Sequence, residues 1–183
     1  MKVVLSGVAN CGKTAIFNRL TKKYFDPDAL CTISLSSSTF EMETDNGIKT
    51  IKIDDTAGQE RYSSMTQKYF RDADVILLVF DMNDNDSFVA IDNVYKSIEV
   101  NPHSFVIIGA KSDLEQKVPD ESIRAYCVEK GFQIFKTSAK EDIGFSELIQ
   151  HFVTLINDID DKNPGNIELG KDNNDKKDKK SCC

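Results

Sequence analysis

The chain reads as an α/β fold with a mostly parallel sheet, and three observations predict it. Apolar runs at Val3–Leu5, Ile48–Ile53, Val75–Phe80, Phe105–Ile108 and Phe132–Phe135 recur between segments of helical spacing, the alternation expected of strands joined by helices. Val75–Phe80 is apolar at every position, as a parallel strand covered on both faces must be. Gly7–Thr14, G-V-A-N-C-G-K-T, stands between the first run and a helical pattern that begins near Ala15 with Ile16, Phe17 and Leu20.

The other elements follow in order. Thr39–Glu43 alternates polar and apolar residues and leads to the turn signal Asp45-Asn46-Gly47, so it is expected to be an antiparallel edge strand. The last helix carries Phe145, Leu148, Ile149, Phe152, Val153 and Ile156, spaced for one buried stripe. His151 falls on its polar side and is expected to be solvated; His103, at a strand start, is assigned no role.

At 183 residues and 40% hydrophobic the chain has room for one domain with a proper core. A formal charge of −7 argues against nonspecific nucleic-acid binding, which needs a basic face. Five cysteines, Cys11, Cys31, Cys127, Cys182 and Cys183, are odd in number and scattered, which suits a reducing compartment better than a disulfide framework. No signal peptide precedes Val3, and Val75–Phe80 is too short to span a bilayer. The expectation is a cytosolic chain unless something else anchors it.

The octapeptide has a mechanism. Gly7 and Gly12 let the backbone bend so that N–H groups along Val8, Ala9, Asn10 and Cys11 and a helix N-terminus face one anion. Lys13 reaches the outer phosphates, and the Thr14 hydroxyl can ligate Mg²⁺. Such a loop is shared by kinases, ATPases and GTPases. Asp55-Thr56-Ala57-Gly58-Gln59-Glu60 narrows the choice. It follows a strand, so Asp55 stands at a C-terminal strand end, where α/β folds bind ligands, and can hold the Mg²⁺ shell. Gly58 can offer its N–H to a γ-phosphate and Gln59 can orient the attacking water.

With both motifs in place, the chain from about Lys2 to Ile159 resembles the Ras superfamily of small GTPases. The resemblance implies a P-loop fold with a mostly parallel six-stranded sheet, one antiparallel edge strand and helices on both faces. It implies a GTPase domain over residues 1–159, GTP or GDP as bound nucleotide, and Mg²⁺. Thr32 matches the switch I threonine that senses Mg²⁺ and γ-phosphate, and Phe25 the aromatic against the guanine. Ser138, Ala139 and Lys140, within Thr137-Ser138-Ala139-Lys140, match the loop whose alanine N–H meets the base's oxo group. Ala110-Lys111-Ser112-Asp113 occupies the guanine-specificity position. Asp113 can accept two parallel hydrogen bonds from guanine's ring N–H and amine, which adenine cannot offer; Lys111 is expected along the base. Ala110 departs from the family's asparagine, so hydrogen bonds to the base and to the phosphate loop are missing unless a water or a neighbouring side chain substitutes.

Within the superfamily, Glu60–Thr66, Tyr69-Phe70-Arg71 and Leu78–Asp81 look like the Rab switch II and following segments, and Cys182-Cys183 like a Rab double-prenylation terminus. Rabs usually carry aromatic residues where this chain has Ser37 and Asp54, so it resembles a divergent Rab whose surface differs from that read by standard effectors. Asp54 falls outward in the alternation Ile51-Lys52-Ile53-Asp54 and is expected to be structurally tolerated there.

Residues 160–183 are expected to form a disordered hypervariable tail. Its Cys182 and Cys183 are open to prenylation, a vicinal disulfide or inert thiols, and the resemblance favours two geranylgeranyl groups. The activity implied is slow GTP hydrolysis, with Lys13 and Gln59 as catalytic residues and a GAP in trans. The partners implied are effectors, an exchange factor, GDI, a prenylation escort protein and, through lipid, the cytoplasmic face of endomembranes, endosomal membranes among them, with the chain a monomer. The alternatives are a Ras-like signalling GTPase and a weakly hydrolysing nucleotide-binding scaffold.

Overall fold

A computed structural model describes residues 1–27, 35–56 and 64–162, with side chains of 64–66 and 162 excepted. The order of elements is β1 (Lys2–Ser6), α1 (Lys13–Lys22), β2 (Ser36–Thr44), β3 (Gly47–Asp55), α2 (Ser64–Phe70), β4 (Val75–Asp81), α3 (Asn85–Lys96), β5 (Ser104–Ala110), α4 (Asp120–Lys130), β6 (Gln133–Lys136) and α5 (Phe145–Lys162). The six strands form one sheet in the order β2-β3-β1-β4-β5-β6. Every neighbouring pair is parallel except β2 and β3, as the alternating pattern of Thr39–Glu43 predicts. The hairpin turns through Asp45 and Asn46 and takes its left-handed residue at Gly47, φ 97°, where no Cβ resists it.

The sheet is covered on both faces, and the period-two alternation of its strands decides which residue packs where. Val3, Leu5, Ile51, Ile53, Leu77, Val79, Val106 and Ile108 pack with Ile16, Phe17 and Leu20 of α1 and with Phe145, Leu148, Phe152 and Ile156 of α5. Val4, Ile76, Leu78, Phe80 and Ile107 pack with Phe70 of α2, Ile91 of α3 and Ile123 and Cys127 of α4. β4 is buried along its whole length, which is why its sequence is uniformly apolar. At about 1.5–3 kcal/mol for each fully buried aliphatic side chain, this central strand anchors both layers. No described helix is long and apolar enough to cross a membrane.

Two local features differ from the expectation. His151 is only partly solvated: it lies half-buried on α5 with its ring 5.2 Å from that of Phe135 on β6, because that ring covers one of its sides. Asp54 is turned away from the α1–α5 core but is 3% exposed, because that side of β3 is covered. It accepts a hydrogen bond from Ser37 Oγ at 2.6 Å across the β2–β3 pair. Lys2 Nζ and Lys52 Nζ each lie 3.8 Å from its carboxylate. Lys2 also donates to the carbonyls of Tyr69 and Arg71, so the two positions that depart from the Rab aromatics form one polar joint between β1, β2, β3 and the end of α2.

Candidate functional site

β1 lies between β3 and β4, and the chain leaves it toward one side of the sheet and crosses to the other after β3. The crevice at the C-terminal end of β1 is therefore where an open α/β sheet receives a ligand. Gly7 follows β1 with φ 149°, and a Cβ there would fall 2.3 Å from the Val79 carbonyl oxygen; the loop runs too close to β4 for any side chain. Gly12, at φ 105°, is the N-cap of α1 and offers the helix no side-chain acceptor. The leading N–H groups of α1 thus face the loop with the positive end of the helix dipole behind them.

Lys13 is 5% exposed and donates from Nζ to the Val8 carbonyl at 2.8 Å, with Cys11 Sγ at 3.9 Å. An ammonium enclosed by the loop it follows is suited to an anion. Burial pushes the Cys11 thiol up, against the opposing pull of Lys13 and Lys111, so the thiol stays neutral and adds no negative charge beside a phosphate. Ala9 and Asn10 complete the turn, Asn10 in the left-handed region at φ 62°, which asparagine tolerates.

Thr14 Oγ1 donates to Asp55 Oδ2 at 2.7 Å, and Asp55 is wholly buried at the end of β3. A hydroxyl and a carboxylate side by side next to an anion cradle fit Mg²⁺, which takes few protein oxygens and completes its shell from phosphates and water. Among the described residues no group of three or more His, Cys, Asp or Glu forms a metal cage, and this mode needs none. Thr32, Gly58 and Gln59 lie outside the described residues, as do Cys182 and Cys183.

The loops after β5 and β6 meet beside the cradle. Thr137 N–H donates to the Gly109 carbonyl at 2.7 Å and Ser112 N–H to the Thr137 carbonyl at 3.0 Å. Ser138 Oγ donates to Asp113 Oδ1 at 2.6 Å and accepts from Glu141 N–H at 3.0 Å. One carboxylate oxygen is thereby fixed and the group presents a set direction. Ala139 is buried, Lys140 exposed and Phe25 half-buried against the core. Lys111 holds φ 58°, a conformation that costs a non-glycine residue about 1–2 kcal/mol and that functional loops retain. Ala110 is buried with its methyl toward the phosphate loop: a Cβ on Gly12 would lie 3.1 Å from it.

Sequence reasoning gave no site role to Asp81, noted only as the end of a Rab-like segment, or to Arg19. Asp81 Oδ2 pairs with Lys111 Nζ at 2.7 Å from the end of β4, and Arg19 of α1 donates to the carbonyl of Ala139. An aspartate after an apolar strand is a sign that points toward the strand-end crevice; an arginine within an amphipathic helix carries no such sign.

The Ras family model matches residues 2–159 of this chain. The GTP-binding protein yptV5 of Volvox carteri is 36% identical over 154 residues, covering 78% of this chain and 75% of that protein. The Ras-related protein Rab-9A of Rattus norvegicus is 32% identical over 193 aligned positions, covering this whole chain and 96% of the relative. The Ras-related protein Rab7 of Pisum sativum is 35% identical over 162 residues, covering 82% and 79%.

Proposed function

The chain belongs to the Ras family of small GTPases, as a divergent member of its Rab branch, and from that premise we propose a Rab-type GTP/GDP cycle that regulates vesicular membrane traffic. The observation that carries the reading is the assembly of two recognition elements in one crevice: the Gly7–Thr14 cradle with its enclosed Lys13, and Asp113 fixed by Ser138. The first suits a polyphosphate and the second a guanine edge.

In this reading Lys13 and the N–H groups along Val8–Gly12 hold the β- and γ-phosphates, and Asp113, Lys111, Ser138, Ala139, Lys140 and Phe25 form the base pocket. Thr14 and Asp55 would hold Mg²⁺, Asp55 by way of the ion's water shell, and the ion would neutralise charge on the phosphate oxygens. Thr32 and Gly58 sense the γ-phosphate, and Gln59 orients the attacking water. Loss of the γ-phosphate removes the acceptors for Thr32 and Gly58, releasing both switches and toggling effector affinity. Intrinsic turnover is slow, because the charge stabilisation a GAP supplies in trans is missing. An exchange factor, GDI and a prenylation escort complete the cycle, with Cys182 and Cys183 carrying lipid to the cytoplasmic face of an endomembrane.

The test is equilibrium binding and single-turnover hydrolysis with GTP and ATP. Tight GTP and GDP binding, weak ATP binding and slow GTP cleavage are expected. Comparable affinity for ATP defeats the base assignment, and guanine binding with no turnover leaves a scaffold in place of an enzyme.

A further inference from the structure

The loop bearing Ser138, Ala139 and Lys140 is hydrogen-bonded to helix α1 through the side chain of Arg19. Its Nε donates to the Ala139 carbonyl at 2.9 Å, and its Nη2 donates to the same oxygen. Nη2 also reaches the Lys140 carbonyl and Nη1 the Lys23 carbonyl, each at 3.4 Å. Nε stands 3.6 Å from Asp142 Oδ1, and the side chain is only 14% exposed. A planar guanidinium placing two donors on one carbonyl fixes that carbonyl's direction as well as its distance.

Across a trans peptide the carbonyl and the next N–H point opposite ways, so holding Ala139 C=O toward α1 turns Lys140 N–H away from it. The neighbouring donors are used within the loop: Ser138 N–H meets the Ile143 carbonyl at 3.0 Å, and Glu141 N–H meets Ser138 Oγ. Among the described residues no protein acceptor meets the N–H of Ala139 or of Lys140. The loop therefore presents the Lys140 N–H in a direction that depends on Arg19, next to the Ala139 N–H of the preceding peptide. Position 110, beside the phosphate loop, ends in a methyl that makes no hydrogen bond, whereas the guanidinium hydrogen-bonds α1 to this loop.

We propose that Arg19 is a positioning residue for base recognition: by orienting the 139–140 peptide it aims the Lys140 N–H, beside that of Ala139, at the 6-oxo group of guanine, while Asp113 reads the N1–H and 2-amino edge. This rests on the guanine-nucleotide reading above. The two edges can be probed separately. In 6-thio-GDP the 6-position is a poor acceptor with the Asp113 edge intact, whereas IDP keeps the 6-oxo group and lacks the 2-amine.

The experiment is competition of GDP, 6-thio-GDP, IDP and ADP against a fluorescent GDP analogue on the full chain, for wild type, Arg19→Ala and Arg19→Lys. Wild type should prefer GDP over all three competitors. Arg19→Ala should narrow the GDP to 6-thio-GDP ratio by about two- to tenfold, the equivalent of one hydrogen bond, and leave the GDP to IDP ratio unchanged. Arg19→Lys, which keeps a donor and the charge, should fall between and serves alone if the alanine variant does not fold. Equal weakening of every nucleotide, or ratios that do not move, overturns the role of Arg19 while the nucleotide reading stands. A wild type that does not prefer GDP over ADP overturns both.

Discussion

Ala110 sits against Gly12 with nothing but a methyl to offer, so the link that an amide would make between the base loop and the phosphate loop is absent from its side chain. Ala110→Asn should recover it. At about 0.5–1.5 kcal/mol per neutral hydrogen bond, GDP release should slow by roughly two- to tenfold for each bond regained. Stopped-flow release of a fluorescent GDP analogue measures this, and an unchanged rate would mean that the contacts of Arg19 and Asp81 already compensate. Gln59 invites a different change: an amide can hold a water by accepting and donating, whereas leucine can do neither. Gln59→Leu should lower single-turnover hydrolysis by tenfold or more, on the order of one positioned group's contribution, with GDP affinity retained; full activity would place the water under another residue. At this scale the sequence exposed residues whose chemistry is local. Gly7, Lys13, Thr14 and Asp113 announce themselves by spacing, while Asp54 does not. Alternation correctly put Asp54 on the face opposite Ile51 and Ile53, but whether that face is covered depends on what packs there from distant parts of the chain, such as Lys2 reaching to Tyr69 and Arg71.

Of the stripe expected on helix α5, Phe145, Leu148, Phe152 and Ile156 pack into the sheet, whereas Val153 is partly buried and Ile149 is exposed at the stripe's edge, and the helix's flank is also engaged. His151 stacks near Phe135, and its Nε2 is buried without a hydrogen-bond partner among the described residues. Burial lowers the pKa of His151 below the ordinary 6.5, against a smaller opposing effect of Asp158. The unfolded chain therefore takes up this proton first as pH falls. The histidine's contribution to stability is present above about pH 6.5 and declines as pH drops from there toward the lowered folded value. Urea unfolding at pH 7.5 and 5.5 should show wild type losing more stability than His151→Leu across that window; equal losses would mean that the imidazole is hydrated in both states. The elements themselves were largely legible, because buried strands must be apolar and an edge strand must alternate. Their ends were less so: β6 begins at Gln133, while Phe132, inside the apolar run, belongs to an aromatic cluster with Tyr95, Phe105 and Tyr126. A run of apolar letters does not say whether a residue is apolar for the sheet or for the helix layer.

On the scale of the whole molecule, β1, β3, β5 and β6 each deliver one of the candidate motifs from the C-terminal end, in chain order, and that is what the sequence makes legible. What could not be read were the ties between loops, since Arg19 meets Ala139 120 positions away and Asp81 meets Lys111 from the neighbouring strand. Switching also requires a place for the molecule to act, and no described helix can cross a membrane. The chain ends Lys176-Lys177-Asp178-Lys179-Lys180-Ser181-Cys182-Cys183, and residues 161–183 carry six lysines against five acids. Electrostatic attraction of so balanced a segment to anionic lipid is slight, and the cycle proposed above assigns membrane residence to lipid on the two cysteines. Each buried CH₂ contributes about 0.8 kcal/mol; one chain binds reversibly and two anchor stably. Cys182→Ser alone should therefore leave the protein exchanging between membrane and cytosol, and Cys182→Ser with Cys183→Ser should move it to the cytosol with GDP affinity unchanged. Fractionation of cells expressing each variant, with mass spectrometry of the C-terminal peptide, measures both. An unmodified wild-type terminus together with membrane partitioning that the double variant does not alter would rule out the lipid-anchored cycle while leaving the nucleotide chemistry intact.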